Sequence, residues 1–193
     1  MKKTWITLVS AFMLVFMPLM AQTGIAVGAH VLNQYALGDW AEYAKANIGV
    51  GADFEYTLPL NLPKELALGT SIRVEYSHTL PKADSTLARD DSIRLSAGLF
   101  CRIPFAISSQ NFAIQPEVGY MADLHNVEAR NGSSANGWFV DSALTFALGL
   151  RYLLPVDITN LELELAPLYN MNPEKNGFSM NNLGFRFGAL YRL

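Results

Sequence analysis

The last eleven residues of the chain alternate strictly. Leu183, Phe185, Phe187, Ala189, Tyr191 and Leu193 interleave with Gly184, Arg186, Gly188, Leu190 and Arg192. A period of two is what a strand with unlike faces requires; a helix would turn Arg186 and Phe187 to broadly the same side. The pattern recurs upstream. Ile48, Val50, Ala52, Phe54, Tyr56 and Leu58 alternate with small or charged residues, as do Leu66 to Tyr76 and Ile93 to Ile103. Further strands are expected near 24–33, 112–124, 140–154 and 161–171. That makes eight antiparallel strands, each long enough to cross a bilayer at a tilt.

The connections alternate in length. Short turns are expected at Asn61–Glu65, Ala106–Asn111 and Val156–Asn160, and longer polar loops near 34–46, 79–91, 125–139 and 172–181. Short turns at one end and long loops at the other characterise up-and-down barrels that cross a membrane. Three segments form a weak repeat, with Pro59, Pro104 and Pro155 where a strand enters a short turn. Proline donates nothing to a ladder and is tolerated at such ends.

Alternation alone does not identify the solvent. The hydrophobic fraction is 51%, yet beyond residue 21 no apolar run reaches helical spanning length; the closest approach, Ala143 to Leu150, ends at Arg151. A membrane-embedded chain of this kind must cross with strands. Tyr56, Tyr76, Tyr120, Tyr152, Tyr169 and Tyr191 all fall on the apolar face toward strand ends, where interfacial aromatic girdles lie. The N-terminus has the layout of an export signal: Lys2 and Lys3, an apolar stretch from Ile6 to Met20, then Ala21. Cleavage after Ala21 is expected, making residues 1–21 a signal peptide and 22–193 one barrel domain. The lone Cys101 permits no internal disulfide, and a formal net charge of −3 gives no footprint for nucleic acid.

These strands, loops and aromatics resemble the eight-stranded outer-membrane barrels of the OmpA, OmpX and OmpW type. The resemblance is architectural and spans the chain beyond the signal. It implies an all-β transmembrane barrel in the outer membrane of a Gram-negative-type bacterium, with outer-membrane lipids and the barrel assembly machinery as partners. The terminal strand is similar to the assembly signal of these proteins. Phe185, Phe187 and Tyr191 match it, while Leu193 stands where phenylalanine is usual.

The polar faces carry Asp53, Glu55, Arg73, Glu75, Arg94, Arg102, Glu117, Arg151, Glu162, Glu164, Arg186 and Arg192. They read either as the lining of an ion-selective channel or as an ion-pair network filling a narrow barrel. The network is favoured, because eight strands enclose little more than their own side chains. A turn centred between Asp157 and Ile158 sets Arg151 opposite Glu164. His30 is expected to face the interior, His78 to end the third strand and His125 to open a loop. Ser77 and His78, with Glu75, are the nearest thing to a lipid-modifying catalytic set. Strand neighbours point to opposite faces, however, so they make a poor nucleophile–base pair. No metal spacing, nucleotide loop or hydrolase elbow is present.

The expectation is thus a monomeric surface barrel without enzymatic activity, cofactor or metal. Its role is structural, or one of binding and adhesion through the loops to an extracellular ligand. The alternatives are a conduit for small hydrophobic molecules and a lipid A-modifying enzyme. Inward Phe100 and Leu168 keep the conduit open as a reading. Trp40, Tyr43, Trp138 and Phe139 are expected in loops, as interfacial anchors or as an apolar binding surface.

Overall fold

A computed structural model of the chain describes residues 24–130, 137–154, 160–174 and 177–193. Eight strands follow one another: β1 Ile25–Ala36, β2 Ala44–Thr57, β3 Ala67–Pro81, β4 Leu87–Ile107, β5 Gln110–Ala129, β6 Gly137–Leu153, β7 Leu161–Met171 and β8 Asn182–Arg192. Each pairs antiparallel with the next, and β8 returns to β1 in a ladder from Ala26↔Arg192 to Ala36↔Asn182. The result is a closed up-and-down β-barrel. Closure leaves no sheet edge in the spanning region, so the backbone is satisfied without water.

The two faces of each strand separate as the alternation requires. Val50, Leu95, Leu99, Tyr120, Phe185 and Phe187 are more than half exposed and form an outward apolar belt. The interleaved positions are buried and polar: Glu55, Arg94 and Arg151 are among the most enclosed large side chains. The fold is that of a transmembrane barrel, apolar outside and charged within, with its polar core in the lumen. Two inward glycines make room for large neighbours. A Cβ at Gly51 would lie 2.6 Å from the His30 ring, and one at Gly69 only 2.2 Å from Phe100 Cζ.

Several expectations need correction at the strand ends. The loops at 34–46, 79–91 and 125–139 are shorter than expected, because β1, β3, β4 and β5 run on through polar residues that still alternate. The turn expected at Ala106–Asn111 is only Ser108–Ser109, both with positive φ (48° and 68°), as a tight two-residue hairpin demands. Pro104 does not end its strand. It sits within β4 opposite Ala113, beyond Arg102, the last β4 residue that β3 pairs with, so its missing N–H costs no bond on that side. Pro59 lies just past the end of β2, while Pro155 and residues 1–21 fall outside the described residues.

At the long-loop end, Trp40 does not anchor in an interface. It is 6% exposed and packs with Ala36, Ala44, Leu87 and Met180, flanked by Tyr43 and Phe178. The Tyr43 and Phe178 rings meet edge-on at 5.7 Å. This small apolar core ties the first and last long connections together, helped by Asp39, which accepts from Ser179 N at 2.9 Å.

Candidate functional site

The barrel places its chemistry in three layers along the lumen. Nearest the short turns, Glu55 of β2 accepts from Arg151 Nη2 at 2.6 Å, Arg102 Nη2 at 3.2 Å and Gln115 Nε2 at 3.1 Å. Arg151 also reaches Glu164, its register partner, and Glu162 at 3.1 Å. Arg192, the least buried of the set, closes the layer on Glu162 at 2.5 Å. Its position at the rim of the barrel leaves it in part to solvent.

The middle layer is centred on Arg73 of β3. Its Nε donates to Asp53 at 2.7 Å and its Nη2 to Glu117 at 2.7 Å. Arg186 donates to Glu164 at 2.6 Å. The His30 ring bridges two carboxylates, with Nδ1 at 2.7 Å from Asp53 and Nε2 at 3.0 Å from Glu75. Buried charges are tolerated only with partners of good geometry, and an arginine fork can serve two carboxylates at once.

The uppermost layer was largely missed by sequence reasoning. Arg94 donates to Asp123 at 2.7 Å and to Gln34 at 2.5 Å. His125 does not open a loop; it is buried within β5, with Nδ1 3.0 Å from Asp90 and Nε2 3.2 Å from Asp123. Asp141 of β6 faces the same space. The signal was present, since Asp90, Ser92, Arg94 and Met121, Asp123, His125 continue the alternation of their strands.

The remaining candidates are separated. Ser77 is buried in the lumen, with its Oγ 2.8 Å from Ser92 Oγ. His78 lies within β3 rather than at its end and faces outward, with Nδ1 2.8 Å from Asp91. Glu75 belongs to His30. No serine–histidine pair forms at these positions. Phe139 stacks on His125 at 4.6 Å, whereas Trp138 is 63% exposed. Phe185, Phe187 and Tyr191 line the outer face of β8. Inward Phe100 and Leu168 are both buried. Among the described residues, no group of three or more His, Cys, Asp or Glu side chains is arranged for a metal.

Little space is left between these side chains. A central cavity of about 30 Å³ lies among Arg73, Glu75, Glu117 and Asn170. A second of about 170 Å³ opens at the short-turn end beside Arg102 and Arg151. The central void is about the size of one water molecule. The interior is therefore arranged to hold charge in place.

No protein-family model matches the sequence, and no curated protein matches it. Solved structures share its fold. The surface protein NspA of Neisseria aligns with 89% of this chain and 98% of its own, at 17% identity and a TM-score of 0.50. The N-terminal β-barrel domain of Pseudomonas aeruginosa OprF aligns with 89% and 100%, at 10% identity and 0.50. The chain thus shares the fold of eight-stranded outer-membrane β-barrels.

Proposed function

We propose that this protein is a surface barrel of a Gram-negative-type outer membrane that acts as a binding or adhesion module through its long-loop end. β1 begins and β8 ends at the short-turn end, which in this reading is periplasmic. The observation that carries the proposal is a division of labour. The lumen is filled by paired charges, while the long-loop end presents unspent apolar surface. Trp138 and Val140 are 63% and 65% exposed, next to Phe139.

The backbone there supports the same reading. β6 continues to Gly137 on the β5 side, but its ladder with β7 ends at Leu144↔Met171. Residues 137–143 therefore have one edge without a ladder partner among the described residues. The Ser142 carbonyl there is taken by Asn172 Nδ2 at 3.3 Å, while the stretch nearer Gly137, flanked by exposed aromatics, suits an extended segment of a partner protein, bound by main-chain hydrogen bonds. The outward Phe185, Phe187 and Tyr191, with Leu193, serve as the recognition strand for barrel assembly in this reading. An axial conduit for hydrophobic solutes finds no support in a central void of about 30 Å³.

The test is attachment. The protein would be displayed on a non-adherent Gram-negative host and binding to cultured epithelial cells measured, together with a Trp138→Ser/Val140→Ser variant. A gain in attachment that the variant loses, at equal surface display, is expected. No gain, or a gain untouched by the variant, overturns the reading.

A further inference from the structure

We propose that the short-turn mouth of the lumen binds a small organic carboxylate, held by Arg102, Arg151 and Arg192 against an apolar wall. The cavity there, of about 170 Å³, is lined by these three arginines and Glu162, with Pro104, Ala113 and Leu153 beside them. The arginines come from β4, β6 and β8, so three strands contribute to one cluster of positive charge.

Donors outnumber acceptors in this layer. Each guanidinium carries five N–H donors and accepts nothing. The acceptors that the three share are Gln115 Oε1 and the carboxylates of Glu55, Glu162 and Glu164, and Glu164 also serves Arg186. Glu55 is already crowded, since it also accepts from Gln115 Nε2 at 3.1 Å and has Arg73 Nη2 at 3.5 Å. Arg102 and Arg192 use Nε and Nη2 on these oxygens, and neither Nη1 has a partner among the described residues. Arg102 is further held over the Phe100 ring, its Cζ 5.6 Å from the centroid.

Arg151 is the sharper case. It is 2% exposed, and its Nε is buried with no hydrogen-bond partner. Buried donors in native folds are nearly always satisfied, because an unmet one keeps its full desolvation cost. A carboxylate offers two acceptor oxygens in the plane that a guanidinium fork matches. Glu162, the acid in the cavity wall, is covered by Arg192 at 2.5 Å and Arg151 at 3.1 Å, so its charge is met locally.

The remaining wall selects a carbon body. Pro104, Ala113 and Leu153 present no side-chain hydrogen-bonding group to the cavity. An apolar cavity of about 150 Å³ holds a molecule the size of benzene, so this one has room for a carboxylate carrying a short chain. Entry is from the rim, where the Arg192 side chain is 28% exposed. The site lies at the opposite end of the barrel from the adhesion surface and does not rest on that reading.

The experiment is a saturation-transfer NMR titration of the purified, folded barrel with sodium butyrate, in a deuterated non-ionic detergent. Saturable binding is expected. Butyramide keeps the chain and loses the charge; it should bind at least about ten-fold more weakly, the worth of one charge-assisted hydrogen bond. Arg192→Gln should weaken butyrate binding by a similar factor. Ala113→Leu fills the wall without changing a charge and should also weaken it. Lys64→Gln, an exposed cation at the same end but outside the cavity, should leave binding unchanged. The mobility of unheated protein on gels checks that each variant is folded. Ala113→Leu leaves every ion pair in place and keeps the test decisive if Arg192→Gln does not fold. Absence of saturable binding overturns the proposal, as does butyramide binding as tightly as butyrate. Butyrate binding untouched by both cavity variants, or weakened equally by Lys64→Gln, also overturns it.

Discussion

Arg151 is the strongest single test of the lumen network. It is 2% exposed, and its guanidinium bonds to Glu55, Glu162 and Glu164. Arg151→Met keeps the length and removes the charge. Losing one member of a buried pair costs about 3–5 kcal/mol, because the surviving charge is left in a low-dielectric interior. Here each carboxylate keeps another arginine: Arg102 for Glu55, Arg192 for Glu162 and Arg186 for Glu164. The loss should therefore fall near the lower bound, about 3 kcal/mol, or roughly a hundred-fold in the folding constant. Glu164→Gln is the partner variant. A double-mutant cycle should return a coupling of about 1–3 kcal/mol, against at most about 0.5 for sites that do not interact. The assay is equilibrium urea unfolding of the barrel in lipid vesicles, followed by tryptophan fluorescence and by the mobility of unheated protein on gels. Additive effects of Arg151→Met and Glu164→Gln would refute the pairing. A barrel equally stable without Arg151 would refute the network as a determinant of stability.

Three further outcomes are expected. Single-channel recordings in planar bilayers should show no steady conductance. Reproducible channels whose selectivity changes with Arg94→Glu or Glu117→Arg would show that the charges line an open path. Leu99→Arg, in the outward belt and 62% exposed, should cost about 2–4 kcal/mol in vesicles; a neutral effect would place Leu99 outside the hydrocarbon layer. Gly69→Ala should destabilise by about 1–3 kcal/mol, because its methyl lands on the Phe100 ring. Phe100→Leu should recover part of that loss, and failure of the second change to help would show that the clash is with the backbone.

Much of the barrel is legible in the sequence. Period-two alternation assigns each strand residue to lumen or lipid side, because successive side chains of a strand point to opposite faces whatever surrounds them. Antiparallel neighbours joined by short turns also fix local pairs, and Arg151 opposite Glu164 could be counted from the turn between them. The start of β4 and the end of β5 were not legible, because Asp90 and His125 look like loop residues by composition. They belong to strands since the lumen they face is itself polar.

What only the tertiary structure decided is which charges meet across the barrel. Glu55 and Arg151 are 96 residues apart and belong to strands that do not pair, yet they share two hydrogen bonds. Arg94 finds Gln34 across 60 residues in the same way. Alternation could assign these side chains to the interior but could not choose their partners. That choice follows from closing β1 onto β8, which folds a one-dimensional pattern around an axis and brings opposite walls within reach of an arginine.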